Sequence, residues 1–171
     1  MKQRKIIKAS VLIFVTGMLL VMVMGIRGQG TAVAIGDEAA DFELESYDGE
    51  IHRLSDYHGE VVVLSFFSTW CKPCESAAPK FIEFREKYDD DMVFFTIVKA
   101  ESKNSLTRFI DRTGYVNPYL MDFDLSVSNS FGIIGQPETI VIDKEGIITD
   151  HFIGSPPFDL LAKRVSDLNK E

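Results

Sequence analysis

The chain has 171 residues and carries 18 Lys and Arg against 26 Asp and Glu, a net charge of −8 that argues against nucleic acid and anionic lipid surfaces as partners. Its two cysteines are too few for a stapled scaffold, and with three scattered histidines they do not make a four-ligand zinc site. The length suffices for one domain with its own core.

The N-terminus reads as a targeting element. Lys2, Arg4, Lys5 and Lys8 form a basic head over residues 1–8. Residues 9–26, from Ala9 to Ile26, carry no charge and reach the lower limit for a membrane-spanning helix. Positive charge is heavier before this run than after it, which predicts a cytoplasmic head and an extracytoplasmic body. The competing reading is a signal peptide cleaved near Ala34, with a secreted product. No cysteine directly follows the run, so an anchor built on a lipid-modified cysteine is excluded. Residues 27–34 read as a linker and residues 35–171 as the folded domain, which holds 13 basic and 26 acidic residues once residues 1–34 are set aside. An exported domain sits where disulfides persist.

Phe42, Leu44 and Ser46 alternate with Glu43 and Glu45, the pattern of a half-exposed strand. Asp48-Gly49 is a hairpin turn, and Ile51 to Leu54 returns as the partner strand. Ser55 to Gly59 reads as a short helical turn, with His52 and His58 on the surface. Val61 to Phe67 is a continuous apolar run, which predicts a buried strand. It ends in Ser68, Thr69 and Trp70, and then come Cys71, Lys72, Pro73 and Cys74.

A helix is expected from these cysteines to about Tyr88. Ala77, Phe81, Phe84 and Tyr88 form its buried stripe, and Pro79 would bend it. Residues i and i+3 share one face of a first helical turn, so the two sulfurs can come within bonding distance. A disulfide closing so small a loop gains little from chain entropy and suits being made and broken. Cys71 at the helix N-terminus would have its thiolate favoured by free N–H groups and the dipole, making it the attacking sulfur. Cys74, one turn in, would be the resolving sulfur. Lys72 and Pro73 would tune the potential.

Met92 to Val98 is a second buried strand, which with the preceding strand and helix predicts a parallel unit. Asn104 to Thr113 reads as a helix ending at Gly114, Tyr119 to Met121 as extended, and Leu125 to Phe131 as a short helix. Ile140 to Ile142 is a strand, and Pro137 stands just before it, where either a cis bond or an ordinary trans turn fits. A cis bond would present the Gln136 backbone to an incoming extended peptide. Lys144 to Gly146 turns into an antiparallel strand from Ile147 to Ile153. Pro157 then opens a final helix with Phe158, Leu161, Val165 and Leu168 inside.

With Phe66 to Cys74, Gly36 to Phe42, Pro79, Glu101-Ser102, Gly135 to Thr139 and Asp143 to Gly146 in place, residues 35–168 resemble the thioredoxin superfamily. They look most like its membrane-anchored, extracytoplasmic thiol-disulfide oxidoreductases of the ResA/TlpA type. The resemblance implies an α/β three-layer sandwich with a mixed central sheet, an N-terminal β-hairpin extension and one preceding transmembrane helix. It implies catalysis by Cys71 and Cys74 without any added cofactor or metal. It places a cis-Pro137 opposite the cysteines, with Trp70, Pro73 and Gln136 also framing the substrate. It further implies a monomer that reduces disulfides in exported clients, apocytochrome c among them, with electrons from a membrane donor of the CcdA type.

Two family acids are missing. Ser65 stands where thioredoxins carry a buried Asp, and Ala77 where ResA-type proteins carry a Glu. Glu138 is then the candidate substitute as proton shuttle, and without a nearby carboxylate the site would be more oxidising. A disulfide-forming oxidase of the same fold is therefore the rival reading. A peroxiredoxin-like peroxidase would need Thr and Pro where Ser68 and Leu64 stand. A non-catalytic binding module would need neither sulfur.

Overall fold

The computed structural model describes residues 14–18 and 33–170. Residues 14–18 are helical. The basic head and most of the expected span and linker lie outside the described residues, and no helix among the described ones is long and apolar enough to cross a membrane. The chain divides into two compact units, residues 1–31 and 32–171. The second holds the fold described below.

Its centre is β3 (Val62–Phe67), every residue of which is buried. A strand covered on both faces has no polar side to alternate with, which is why this stretch is apolar almost throughout. β3 pairs in parallel with β4 (Val93–Lys99), and β4 in parallel with β5 (Tyr119–Asp122). On its other side β3 pairs antiparallel with β6 (Glu138–Ile142), and β6 with β7 (Ile148–Ile153). The order is β5-β4-β3-β6-β7.

Alternation along β3 divides the core. Val63 faces Ala77, Phe81 and Phe84 of α1 (Lys72–Lys87) together with Leu161 and Val165 of α4 (Phe158–Leu168). Phe67, at the end of the strand, meets Leu106 and Phe109 of α2 (Lys103–Thr113) and both cysteines. Leu64 and Phe66 point the other way, into a cluster with Phe42, Phe131, Ile140 and Ile148. Leu64 and Phe66 are fully enclosed, and burying each contributes about 2–3 kcal/mol.

The N-terminal hairpin forms as expected. β1 (Glu43–Glu45) pairs with β2 (Ile51–Arg53), and Gly49 supplies the positive φ of the turn. A 3₁₀ turn follows over Leu54–Tyr57. His52 is half-buried rather than fully on the surface. It pairs with Leu44, so both project from one face of the hairpin. There its Nδ1 lies 2.5 Å from the Tyr57 hydroxyl and its ring packs on Phe95.

α1 continues past Pro79 to Lys87. α2 ends on Gly114 in the left-handed conformation. α3 is short, Ser126–Ser130, and its start is held from outside. The buried Asp122 carboxylate accepts from the Val127 and Ser128 backbone N–H groups and from the Ser128 hydroxyl.

Candidate redox site

The site forms where β3 stops. The Cys71 N–H returns to the Ser68 carbonyl at 3.1 Å, which turns the chain out of the strand and into α1. Cys71 is the N-cap of α1, and its Sγ accepts from the Cys74 N–H at 3.2 Å. Pro73 occupies the first turn, where a missing N–H costs nothing. Cys71 and Cys74 form a disulfide with Cα atoms 5.2 Å apart. Both are buried, while Trp70 beside them is 71% exposed.

Opposite the pair, the Gln136–Pro137 peptide is cis. The Gln136 carbonyl oxygen lies 3.6 Å from Cys71 Sγ. In the disulfide this is a contact, since the sulfur carries no proton; in the dithiol the S–H can donate to that oxygen. The Gln136–Pro137 peptide thus faces Cys71, with Trp70 and Pro73 close to that cysteine along the chain.

Glu138 does not join them. It occupies the face of β6 that carries Ile140 and Ile142, whereas its neighbour Thr139 is in register with Ser65. Its Oε1 accepts from the Gly135 N–H at 2.6 Å, and its Oε2 lies 2.6 Å from His151 Nε2. Adjacency to Pro137 in sequence suggests proximity to the sulfurs, but the strand turns successive side chains to opposite faces. Glu138 braces the loop instead of reaching Cys74.

Two residues to which the sequence reading gave no role in the site hold it in shape. The Glu101 carboxylate, from the β4–α2 loop, accepts from the Thr69 N–H at 2.6 Å and from the Thr69 hydroxyl, tying down the segment before Trp70. Lys99 Nζ donates to the Gly135 carbonyl at 3.3 Å and reaches Gln136 Oε1 at 3.5 Å. Burial lowers the Lys99 amine, and Glu138 and Asp122 oppose that shift. Both contacts span more than thirty residues, so local pattern could not predict them.

The charge of Lys72 is partly neutralised. Its Nζ lies 3.3 Å from Glu75, which also takes Arg112 of α2 at 2.7 and 3.2 Å. The Arg112 guanidinium, with Lys72 adding to it, holds the Glu75 carboxyl at about 2, below its ordinary 4.5. Ser68 is buried and Leu64 lies in the core, so the two positions that a peroxidatic site would use serve packing and the turn.

Comparison with known proteins places these observations. Residues 35–151 match the AhpC/TSA family. The thiol-disulfide oxidoreductase ResA of Geobacillus thermodenitrificans is 38% identical over 126 residues, covering 73% of this chain and 72% of that protein. The thioredoxin-like protein YneN of Bacillus subtilis is 28% identical over 154 residues, covering 83% and 90%. The crystal structure of the exposed lipoprotein thioredoxin of Streptococcus pneumoniae superposes with a TM-score of 0.69 at 30% identity, covering 75% and 99%. The expected thioredoxin-like α/β fold with a mixed central sheet is the fold observed.

Proposed function

We infer the function of this chain from a premise: it belongs to the AhpC/TSA family, and it is a thiol-disulfide oxidoreductase. On that basis it reduces disulfides in exported proteins, working at the outer side of the cell membrane and anchored through residues 9–26. Apocytochrome c awaiting haem attachment is one candidate client, and a CcdA-type membrane protein is the candidate electron donor. The protein acts as a monomer.

The observation that carries the reading is the Cys71–Cys74 disulfide at the N-terminus of α1, with Cys71 Sγ facing the Gln136 carbonyl. In the reducing direction the Cys71 thiolate attacks a client disulfide and displaces one client sulfur. Cys74 then attacks Cys71 Sγ, the second client sulfur leaves, and the internal bridge closes. The cysteine pair is the redox group, and no cofactor takes part. The Cys74 N–H and the free N–H groups of the first helical turn favour the Cys71 thiolate. Trp70 offers the client an apolar contact, and the edge at Gln136 offers it a backbone. Cys74→Ala removes the resolving sulfur, so exported clients accumulate as mixed disulfides through Cys71. If none is captured, the assignment fails.

One observation favours the oxidase as a second reading. Ser65 and Ala77 leave the turn of Cys74 without the acids of related proteins, which removes charge repulsion against a thiolate. The measured potential separates the two: about −250 mV or below marks a reductant, and about −120 mV an oxidant.

A further inference from the structure

Behind Cys74, four strands place hydroxyl-bearing residues side by side. The ladders pair Thr139 with Ser65, Ser65 with Thr96, and Thr96 with Tyr119. Paired residues project from the same face, so Thr139, Ser65 and Thr96 form a polar rung across the sheet, and Tyr119 continues the row with its hydroxyl donated to the Tyr115 carbonyl at 3.2 Å. All four are buried. The face is that of α1, because Val63 and Phe67, two residues either side of Ser65, pack against α1 and the cysteines. A run of hydroxyls between the two apolar clusters on this face of the sheet asks for an explanation.

A cavity of about 10 Å³ opens onto this rung, lined by Ser65, Thr96, Asn117, Cys74 and Pro137 among others. That volume is the room one water molecule takes. Two buried oxygens in the neighbourhood have no hydrogen-bond partner among the described residues: Oδ1 of Asn117, a residue that lines the cavity, and Oγ1 of Thr139, in register with Ser65. A buried carbonyl oxygen can only accept, so Asn117 Oδ1 needs a donor that the described residues do not supply. One water meets the need. A water held there would have Asn117 Oδ1 to donate to, the Ser65 or Thr96 hydroxyl to accept from, and Cys74 Sγ for its second proton.

We propose that this cavity holds a structural water bonded to the Cys74 sulfur, and that Ser65 and Asn117 are positioning residues for the resolving step, acting through it. The proposal rests on the reading of Cys74 as the resolving sulfur. During resolution Cys74 gives up its proton and its sulfur attacks Cys71 Sγ. The bond from Cys71 to the client breaks, and the client sulfur leaves with the electron pair and ends protonated. The protein dithiol is oxidised by two electrons and the client disulfide is reduced by two. As charge collects on Cys74 Sγ, the water donates to it. Ser65 and Ala77 put no carboxylate beside that sulfur. The one acid in the turn, Glu75, is held by Arg112 and Lys72. The Tyr119 phenol at the end of the row is raised by burial, and the Arg85 charge opposes that shift. The water is thus a neutral donor in the place where relatives use an acid.

The test uses dithiobis(nitrobenzoate) as the disulfide and the reduced full-length protein. Attack by Cys71 releases one coloured thiol, and resolution by Cys74 releases a second, so the two steps read as separate phases. Losing a hydrogen bond to a thiolate lowers its population, and the more basic thiolate that remains recovers part of the rate. The second phase should therefore slow about three- to tenfold in Ser65→Ala and Asn117→Leu. The first phase should not change, and Ser65→Thr, which restores a hydroxyl, should recover the second. A general packing defect would slow both phases. Equal second phases in wild type and variants would overturn the proposal while leaving the oxidoreductase reading intact. Release of one coloured thiol per wild-type protein instead of two would overturn both. Should Asn117→Leu fail to fold, Ser65→Ala decides the matter. A crystal structure should also show density bridging Asn117 Oδ1 and Cys74 Sγ, and an empty cavity there would refute the water.

Discussion

Glu101→Ala tests how the site is held. The side chain accepts from the Thr69 backbone N–H at 2.6 Å and from the Thr69 hydroxyl, and both residues are half-buried. A hydrogen bond to a charged group contributes about 1.5–3 kcal/mol. Water reaches a half-exposed site and replaces part of each bond, so the low end applies, and the two together give about 2–3 kcal/mol. For a domain of this size that lowers the melting temperature by about 6–9 °C. Urea unfolding followed by circular dichroism measures the loss directly. Thr69→Val removes the hydroxyl but keeps the N–H, so a double-mutant cycle isolates one of the two bonds. The coupling should be about 1–2 kcal/mol. Additivity within about 0.3 kcal/mol would show that the hydroxyl and carboxylate do not interact, and the account of the loop would be wrong.

The Glu75–Arg112 pair makes stability depend on acid. The folded carboxyl lies at about 2 against an ordinary 4.5, so its contribution is present above 4.5 and lost as pH falls from 4.5 towards 2. Arg112→Ala should flatten that part of the curve, and urea midpoints at pH 6 and pH 3 that fall equally in variant and wild type would contradict this. Asp122→Ala strands the Val127 and Ser128 N–H groups in a buried place, and should cost about 3 kcal/mol. Hydrogen exchange at those two amides should accelerate, and unchanged protection there would count against the cap. Glu138→Leu leaves the Gly135 N–H and His151 without their partner. It should cost about 3–5 kcal/mol in denaturant unfolding, with Glu138→Gln recovering part. With its opposing charge gone, the Lys99 amine should fall further, which nitrogen-detected NMR titration can follow.

The central layout was legible because its signals are local. An apolar run before Trp70, two cysteines three apart and a helical stripe after them place β3, the turn and α1 without any long-range information. The Asp48-Gly49 turn and Gly114 were readable for the same reason: each needs a conformation that glycine adopts cheaply. What escaped were contacts between segments distant in sequence. Nothing near Glu101 says that Thr69 is its partner, and nothing near Lys99 points to Gly135. His52 looked exposed because a lone polar residue in a short strand usually is, yet Tyr57 and Phe95 give its ring both a hydrogen bond and a surface to pack on. Glu138 shows a different failure. Period-two alternation from Thr139 would have turned it away from Cys74, had the register with Ser65 been known.

The stretch between residues 34 and 48 has a further consequence. Gly36 and Asp37 exchange backbone hydrogen bonds with Ile148 on the outer side of β7, and Glu38 bridges Ile147. Ser46 and Tyr47 do the same on the far side of β5, against Leu120 and Tyr119. One short segment thus covers part of both rims of the sheet, where naked amides would otherwise recruit strands from neighbouring molecules. A version trimmed to start at β3 would keep both sulfurs yet expose two sticky borders, and self-association would spoil it before chemistry did.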